Sequence, residues 1–120
     1  MKVKTSELSG VQLDVAVALA LEMTGGDLRV RGGYGCSYYN GSGLKTFSPS
    51  TDWSQCGNLI EAEGIEFKWV SDATLEAHSY LHDPHYCYGL THQEAACRLI
   101  VASKLGDEVD IPDELMEVGE

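Results

Sequence analysis

The chain has few basic residues and no long apolar run. Of its 120 residues, 8 are Lys or Arg and 19 are Asp or Glu, which gives a formal net charge of −11. A nucleic-acid backbone is repelled by charge of that sign, so direct binding of nucleic acid is disfavoured. No stretch approaches the roughly 20 apolar residues that span a bilayer, and the first residues lack the apolar segment of a signal peptide. We therefore expect neither a membrane-spanning segment nor secretion.

The cysteine and histidine spacings exclude the common metal-binding patterns. The four cysteines form no close CxxC pair, and without a secretion signal reduced thiols are the default. His82, His85 and Cys87 lie close in sequence and could supply zinc ligands, but they do not match a standard finger spacing. Solvated histidines and buried cysteines are the simpler interpretation. We predict no metal and no cofactor.

Sequence patterns of catalysis are also scarce. The glycines fit neither the dinucleotide-binding pattern nor the phosphate-binding loop that ends in Gly-Lys-Ser/Thr. No nucleophile motif surrounds any cysteine, and carboxylates are so abundant that their pairing discriminates nothing. We predict no catalytic residue, and a binding role is favoured over an enzymatic one, although the residues do not exclude an enzyme.

Hydrophobic periodicity and capping patterns do indicate a fold. The predicted elements are a strand at 1–5, a helix from Ser9 to about Met23, a strand at 27–31, a loop at 32–46, a helix from Ser48–Trp53 to about Glu63, strands at 65–70 and 74–80, a loop at 82–89 and a helix from Thr91 to Leu105. This order predicts a single α+β domain over residues 1–106, with an antiparallel sheet and about three packed helices. Residues 107–120 are expected to form an acidic tail with a short helical turn at Pro112.

Apolar positions on the predicted helices and strands define the expected core. The residues expected to be largely buried are Leu13, Val17, Leu21, Ile60, Phe67, Leu99 and Ile100. Trp53 and Trp69 also fall on apolar stripes, so we interpret both as core aromatics.

Two predicted helices begin at hydroxyl-bearing residues. Ser50, Thr51 and Asp52 precede one helix, and Thr91 precedes the last. The N–H groups and positive dipole end of a helix start can bind a phosphate or carboxylate, but such residues more often only cap the helix, which we favour for both. If the two helices lie on one sheet face and point the same way, their starts will flank a common ligand-binding rim.

A second candidate binding segment combines two arginines with three tyrosines. Arg29 and Arg31 precede the glycine-rich loop that carries Tyr34, Tyr38 and Tyr39. Arginine pairs with phosphate, tyrosine stacks on bases, and glycine permits close approach of a ligand. A flexible surface loop, or a strand-pairing segment with half-buried tyrosines, explains the same residues equally well.

Three blocks of sequence resemble one known family. They are residues 1–8 with 13–18, residues 47–53, and residues 101–109 with 112–115. The chain resembles the NinX-like family of uncharacterised phage proteins over nearly its whole length and, more loosely, the phage α-β-α sandwich domain. The resemblance implies a setting, the cytoplasm of an infected bacterium, but no reaction. The segments 32–46 and 78–92 depart from the family pattern.

Charge, candidate residues and resemblance together lead to three functional hypotheses. The first is an accessory, non-virion phage or prophage protein that counters a host response by sequestering a small anionic ligand, such as a nucleotide signal. The alternative is an acidic inhibitor that docks on a basic host protein. A hydrolase acting on a nucleotide signal is a distant third. Homo-oligomer formation is left open.

Overall fold

Three helices and eight strands form the computed structural model, which describes residues 2–21, 28–31, 35–39, 44–81 and 86–111. The helices are α1 (Gly10–Ala20), α2 (Trp53–Ala62) and α3 (His92–Leu105), and one 3-10 turn covers Thr5–Glu7. The strands are β1 (Lys2–Lys4), β2 (Leu28–Arg31), β3 (Gly35–Tyr39), β4 (Leu44–Thr46), β5 (Ile65–Trp69), β6 (Leu75–Ser79), β7 (Tyr86–Gly89) and β8 (Glu108–Asp110).

The strands form three small antiparallel sheets rather than one. Their orders are β1-β8, β2-β3-β4 and β5-β6-β7. The expected α+β class, with three helices and antiparallel pairing, is confirmed. The strand at the start of the chain and the hairpin of β5 and β6 also lie where the alternating pattern predicts them.

Helix α1 is buried on most of its circumference, as its apolar sequence predicts. Residues 13–18 are all buried, including Asp14. The helix ends at Ala20, three residues before the expected end. Ser9 is the N-cap. Ser9 and Gln12 have the spacing of a capping box, which predicts a hydrogen bond to the Ser9 side chain, but that side chain accepts none. Ser9 contributes its carbonyl instead, which accepts from Leu13 N–H at 3.3 Å.

The core lies where α1, α3 and the β5-β6-β7 sheet meet. Leu13, Val17, Leu99 and Ile100 are fully buried, as predicted. Three further residues of the expected core, Leu21, Ile60 and Phe67, are only partly buried against it. The core assignment of the two tryptophans is wrong, since Trp53 is 55% and Trp69 56% exposed. Trp53 is the first residue of α2, and Trp69 is the last residue of β5. Periodicity predicts which face of an element a residue lies on, but it does not predict how deeply a residue at the end of that element is buried.

Two segments expected to be loops contain strands. The segment 32–46 includes β3 and β4, and β3 pairs with β2 on one side and β4 on the other. The segment 82–89 ends in β7, which pairs with β6. Short strands rich in glycine and tyrosine show little alternation of apolar and polar residues. Their formation depends on pairing with neighbouring strands, which the local sequence does not reveal.

The folded body also continues beyond the boundary expected at residue 106. Strand β8 pairs with β1, and Val109 and Ile111 are buried. The apolar residues between the acids of this segment therefore belong to the core. The helical turn expected at Pro112 lies outside the described residues.

All three helices meet around a buried carboxylate. Asp14 on α1 accepts a hydrogen bond from Ser50 N–H, ahead of α2, at 2.8 Å, and burial raises the pKa of Asp14 to about 6. Its charge also acts on Cys56 of α2 and Cys97 of α3, two buried thiols that hydrogen-bond to each other. That hydrogen bond, together with burial, raises the pKa of Cys97.

Truncation of Leu99 tests the placement of α3. Leu99 is fully buried, so Leu99→Ala is expected to lower the free energy of unfolding by about 2–5 kcal/mol through lost transfer energy and the cavity left behind. Leu105→Ala is the matched control, because Leu105 ends the same helix and is 39% exposed. Urea unfolding measures both. A loss below about 0.5 kcal/mol at Leu99 would contradict the placement.

The buried Asp14 predicts a pH dependence of stability. Its folded pKa of about 6 lies above its ordinary value of 3.8, so the folded chain holds the proton more tightly than the unfolded chain. Its contribution is fully present below about pH 4 and falls as the pH rises through 6, by up to about 3 kcal/mol at 1.4 kcal/mol per pH unit.

Asp14→Asn isolates this effect, because asparagine keeps an oxygen for Ser50 N–H but carries no charge. Urea unfolding between pH 4 and 8 is expected to show the variant gaining stability relative to the wild-type chain as the pH rises. A constant difference across this range would contradict the assignment.

Candidate functional site

Three aromatic side chains contact the ring of His92. The His92 ring centroid lies 4.9 Å from that of Phe67 and 6.0 Å from those of Trp53 and Trp69. The Phe67 and Trp69 rings meet it edge-on, and the Trp53 ring is tilted by 48°. We call Trp53, Phe67, Trp69 and His92 the aromatic cluster.

The cluster forms because two helix starts lie beside the end of a strand. Trp53 is the first residue of α2, and His92 is the first residue of α3. Phe67 and Trp69 are alternate residues of β5, so they share the sheet face on which Phe67 is partly buried. The sequence places one ring on each helix start and two on the strand, and the fold brings them together.

Much of the apolar surface of this cluster faces solvent. Both tryptophans are more than half exposed, and two exposed aliphatic residues, Val70 and Leu90, stand next to Trp69 and Thr91 in the chain. An exposed group of large apolar side chains on a small protein is typical of a binding site. Tryptophan in particular is enriched among the residues that contribute most to protein interfaces.

Each helix start in the cluster already holds a carboxylate. Asp52 accepts hydrogen bonds from Ser54 N–H at 2.9 Å and Ser54 Oγ at 2.7 Å, and these bonds lower the pKa of Asp52. Glu94 accepts from Leu90 N–H at 3.1 Å and pairs with Arg98 at 3.4 Å. The positive dipole ends are therefore already matched by negative charge. The site suits a cation or an apolar group better than an anion, since aromatic faces also attract cations.

The hydroxyl residues predicted as ligand-binding have structural partners. Asp52 and Thr91 are the N-caps of α2 and α3, and Thr91 Oγ1 accepts from Glu94 N–H at 3.1 Å. Ser50 Oγ and Thr51 Oγ1 donate to the carbonyls of Gly10 and Ser48, both at 3.4 Å. These contacts agree with the favoured capping interpretation. Binding of a ligand by these residues stays a prediction.

The arginine and tyrosine residues lie on paired strands. Arg29 and Arg31 belong to β2, opposite Ser37 and Gly35 of β3. Tyr38 pairs with Leu28, and Tyr39 with Leu44 of β4. Tyr34 lies outside the described residues. A ligand site on these strands stays a prediction.

The histidine-rich stretch is described only in part, because residues 82–85 fall outside the described residues. His78 lies 3.6 Å from both Glu66 and Glu76. In the part of the chain that the structure describes, no three His, Cys, Asp or Glu side chains are arranged to hold a metal. No helix among the described residues is long and apolar enough to cross a membrane.

Sequence reasoning missed the aromatic cluster because it assigned both tryptophans to the core. One signal was present. Trp53 directly follows the cap Asp52, and Trp69 precedes the turn at Ser71 and Asp72. Large aromatics at the ends of elements, beside polar residues, are more accessible than those in the middle.

Comparison with known proteins identifies a family to which this chain is similar. A search of curated proteins finds no match. The family described as "Bacteriophage P22, NinX" matches residues 4–104, which include α1, α2, all but the last residue of α3 and most of the strands. The chain therefore belongs to the NinX family of phage proteins.

Proposed function

We propose that this chain is an accessory, non-virion phage protein that acts by binding, and that the aromatic cluster docks on a basic surface of a host protein in the cytoplasm of the infected cell. The observation that carries the proposal is the pair of half-exposed tryptophans that contact His92, with Trp53 at the start of α2 beside Asp52 and Trp69 at the end of β5. The phage family supports a host protein as the target.

Two physical terms favour a basic partner. The cation–π interaction of an arginine or lysine with a tryptophan face contributes about 0.5–2 kcal/mol, and the contribution is largest when the pair is shielded from water. Asp52, the residue before Trp53, adds negative charge to this site, whereas the charge of Glu94 is already paired with Arg98. The net charge of −11 also accelerates encounter with a positive surface at low salt.

Sequestration of a small anionic ligand is the second candidate function. The pairing of β2 with β3 favours it, because Arg29 and Arg31 lie on the strand next to that of Tyr38 and Tyr39. Such a ligand would need this local excess of positive charge to approach a strongly acidic protein. The two candidates use different surfaces, so one experiment can separate them.

Tryptophan fluorescence reports directly on the proposed site, since the chain has only two tryptophans and both belong to the cluster. An oligo-arginine peptide is expected to change the fluorescence saturably, with an affinity that falls as salt rises. Trp53→Ala, read through Trp69, is expected to weaken binding at least tenfold, which is about 1.4 kcal/mol. Tyr80→Ala is the control, because Tyr80 is 79% exposed at the opposite end of the β5–β6 hairpin.

Titration with ADP at the same ionic strength provides the opposing arm. No fluorescence change is expected, and calorimetry is expected to detect no binding. If ADP binds, if Arg31→Ala abolishes that binding and if the peptide leaves both tryptophans unaffected, the docking proposal is wrong and the second candidate replaces it.

A further inference from the structure

Strand β7 is an edge strand of the β5-β6-β7 sheet. The alternation of hydrogen bonds along the sheet shows which backbone groups of β7 point away from β6. Val70 N–H donates to Thr74 O at 3.0 Å beside the turn of the β5–β6 hairpin. In antiparallel strands, alternate residues direct their N–H and C=O groups to the same neighbour. The backbone N–H and C=O groups of Thr74 and Glu76 therefore point to β5. Those of Leu75 and Ala77 point to β7.

The register of β6 with β7 then separates inward from outward residues. Cys87 and Gly89 lie opposite the two β6 residues that face β7, so they form the hydrogen-bonded pairs of this ladder. Tyr86 and Tyr88 direct their backbone groups away from the sheet. A second observation agrees, because the Tyr88 carbonyl accepts from Arg98 Nη1 at 2.8 Å, outside the sheet. Among the described residues, Tyr86 N–H, Tyr86 C=O and Tyr88 N–H have no hydrogen-bond partner.

This open edge faces a groove with a cavity volume of about 410 Å³. The groove is lined by residues 86–88 of β7, by residues 4–6, by Arg98 and Ala102 of α3, and by Asp107 and Glu108. Arg98 connects β7 to the residues before α1. Its Nε donates to Leu8 O at 3.0 Å, and its Nη1 donates to Tyr88 O at 2.8 Å.

The two edges of the sheet differ in how they are protected. The opposite edge strand, β5, carries Glu66 and Lys68, and charged residues discourage pairing with another chain. β7 reads Tyr-Cys-Tyr-Gly and has neither a charge nor a proline. It is also held firmly, because a Cβ atom at Gly89 would lie 2.6 Å from Ala95 N, so β7 lies directly against the start of α3. A fixed, unprotected edge beside a groove is a template for strand addition.

We propose that the groove accepts an extended segment of a partner protein, which pairs with Tyr86 and Tyr88 as a fourth strand of the β5-β6-β7 sheet. Alternate side chains of that segment enter the groove. An apolar one contacts Cys87 and Ala102, and polar ones meet the charges of both signs that line the groove, Lys4, Arg98, Asp107 and Glu108. This site is separate from the aromatic cluster and does not rest on the function proposed for it.

The Tyr88 carbonyl already accepts from Arg98, so among the described residues the outward groups that remain open are Tyr86 N–H, Tyr86 C=O and Tyr88 N–H. These two donors and one acceptor match the backbone of an extended peptide, which supplies both donors and acceptors.

Selection from a displayed library of random linear peptides on the full chain, followed by titration of the enriched peptides, tests the proposal. Tyr86→Pro removes the outward N–H and leaves the β6 pairing intact, since proline is tolerated on the free side of an edge strand. It is expected to weaken peptide binding at least tenfold. Tyr86→Ala keeps the N–H and is expected to retain most of the affinity, and Trp53→Ala is expected to leave the affinity unchanged.

Amide hydrogen exchange on the wild-type chain provides a readout without any variant. The amides of Tyr86 and Tyr88 are expected to exchange quickly in the free chain and at least tenfold more slowly with peptide, while the Cys87 amide is slow in both. Enrichment of no peptide, equal binding to Tyr86→Pro, protection confined to the aromatic cluster, or a doubled mass without peptide would each overturn the proposal.

Discussion

Burial of α3 against α1 and the β5-β6-β7 sheet is the contact on which the rest of the structure depends. Residues 95–97 and 99–102 of α3 are all buried, and the helix also contacts α2 and β8. Both candidate surfaces follow from it. The first residue of α3, His92, holds the aromatic cluster together, and its Arg98 hydrogen-bonds to the open strand β7. A change in the packing of this helix would move both surfaces at once.

The sequence predicts this framework better than it predicts the surfaces. The hairpin of β5 and β6, the Thr91 cap and the buried face of α3 follow from alternation, capping and helical spacing, which are local properties. Strand β7 pairs with the preceding strand β6, but its Tyr-Cys-Tyr-Gly sequence does not alternate between apolar and polar residues, so it was expected to be loop. Strand β8 pairs with β1 at the other end of the described chain, so its residues were expected to be tail. Trp53 and Trp69 were assigned to the wrong environment for the same reason, because their exposure depends on where three elements end.

The charges of the site alter the ranking of the functional hypotheses. An anionic ligand at the helix starts requires unopposed positive dipole ends, but Asp52 and Glu94 already match them. A basic partner instead gains from the tryptophan faces and from Asp52, while Glu94 is paired with Arg98. An anionic ligand therefore fits the β2–β3 strands with Arg29 and Arg31 better than the helix starts, and docking on a basic protein becomes the first proposal.

Photo-crosslinking in infected cells tests the docking claim most directly. A benzophenone-bearing amino acid would replace Trp69 in one experiment and Tyr80 in another, and the adducts would be identified by mass spectrometry. The account predicts that position 69 captures a host protein with a basic surface, that position 80 does not, and that Trp53→Ala abolishes the adduct. Capture of the same proteins at both positions, or of none at position 69, would contradict it.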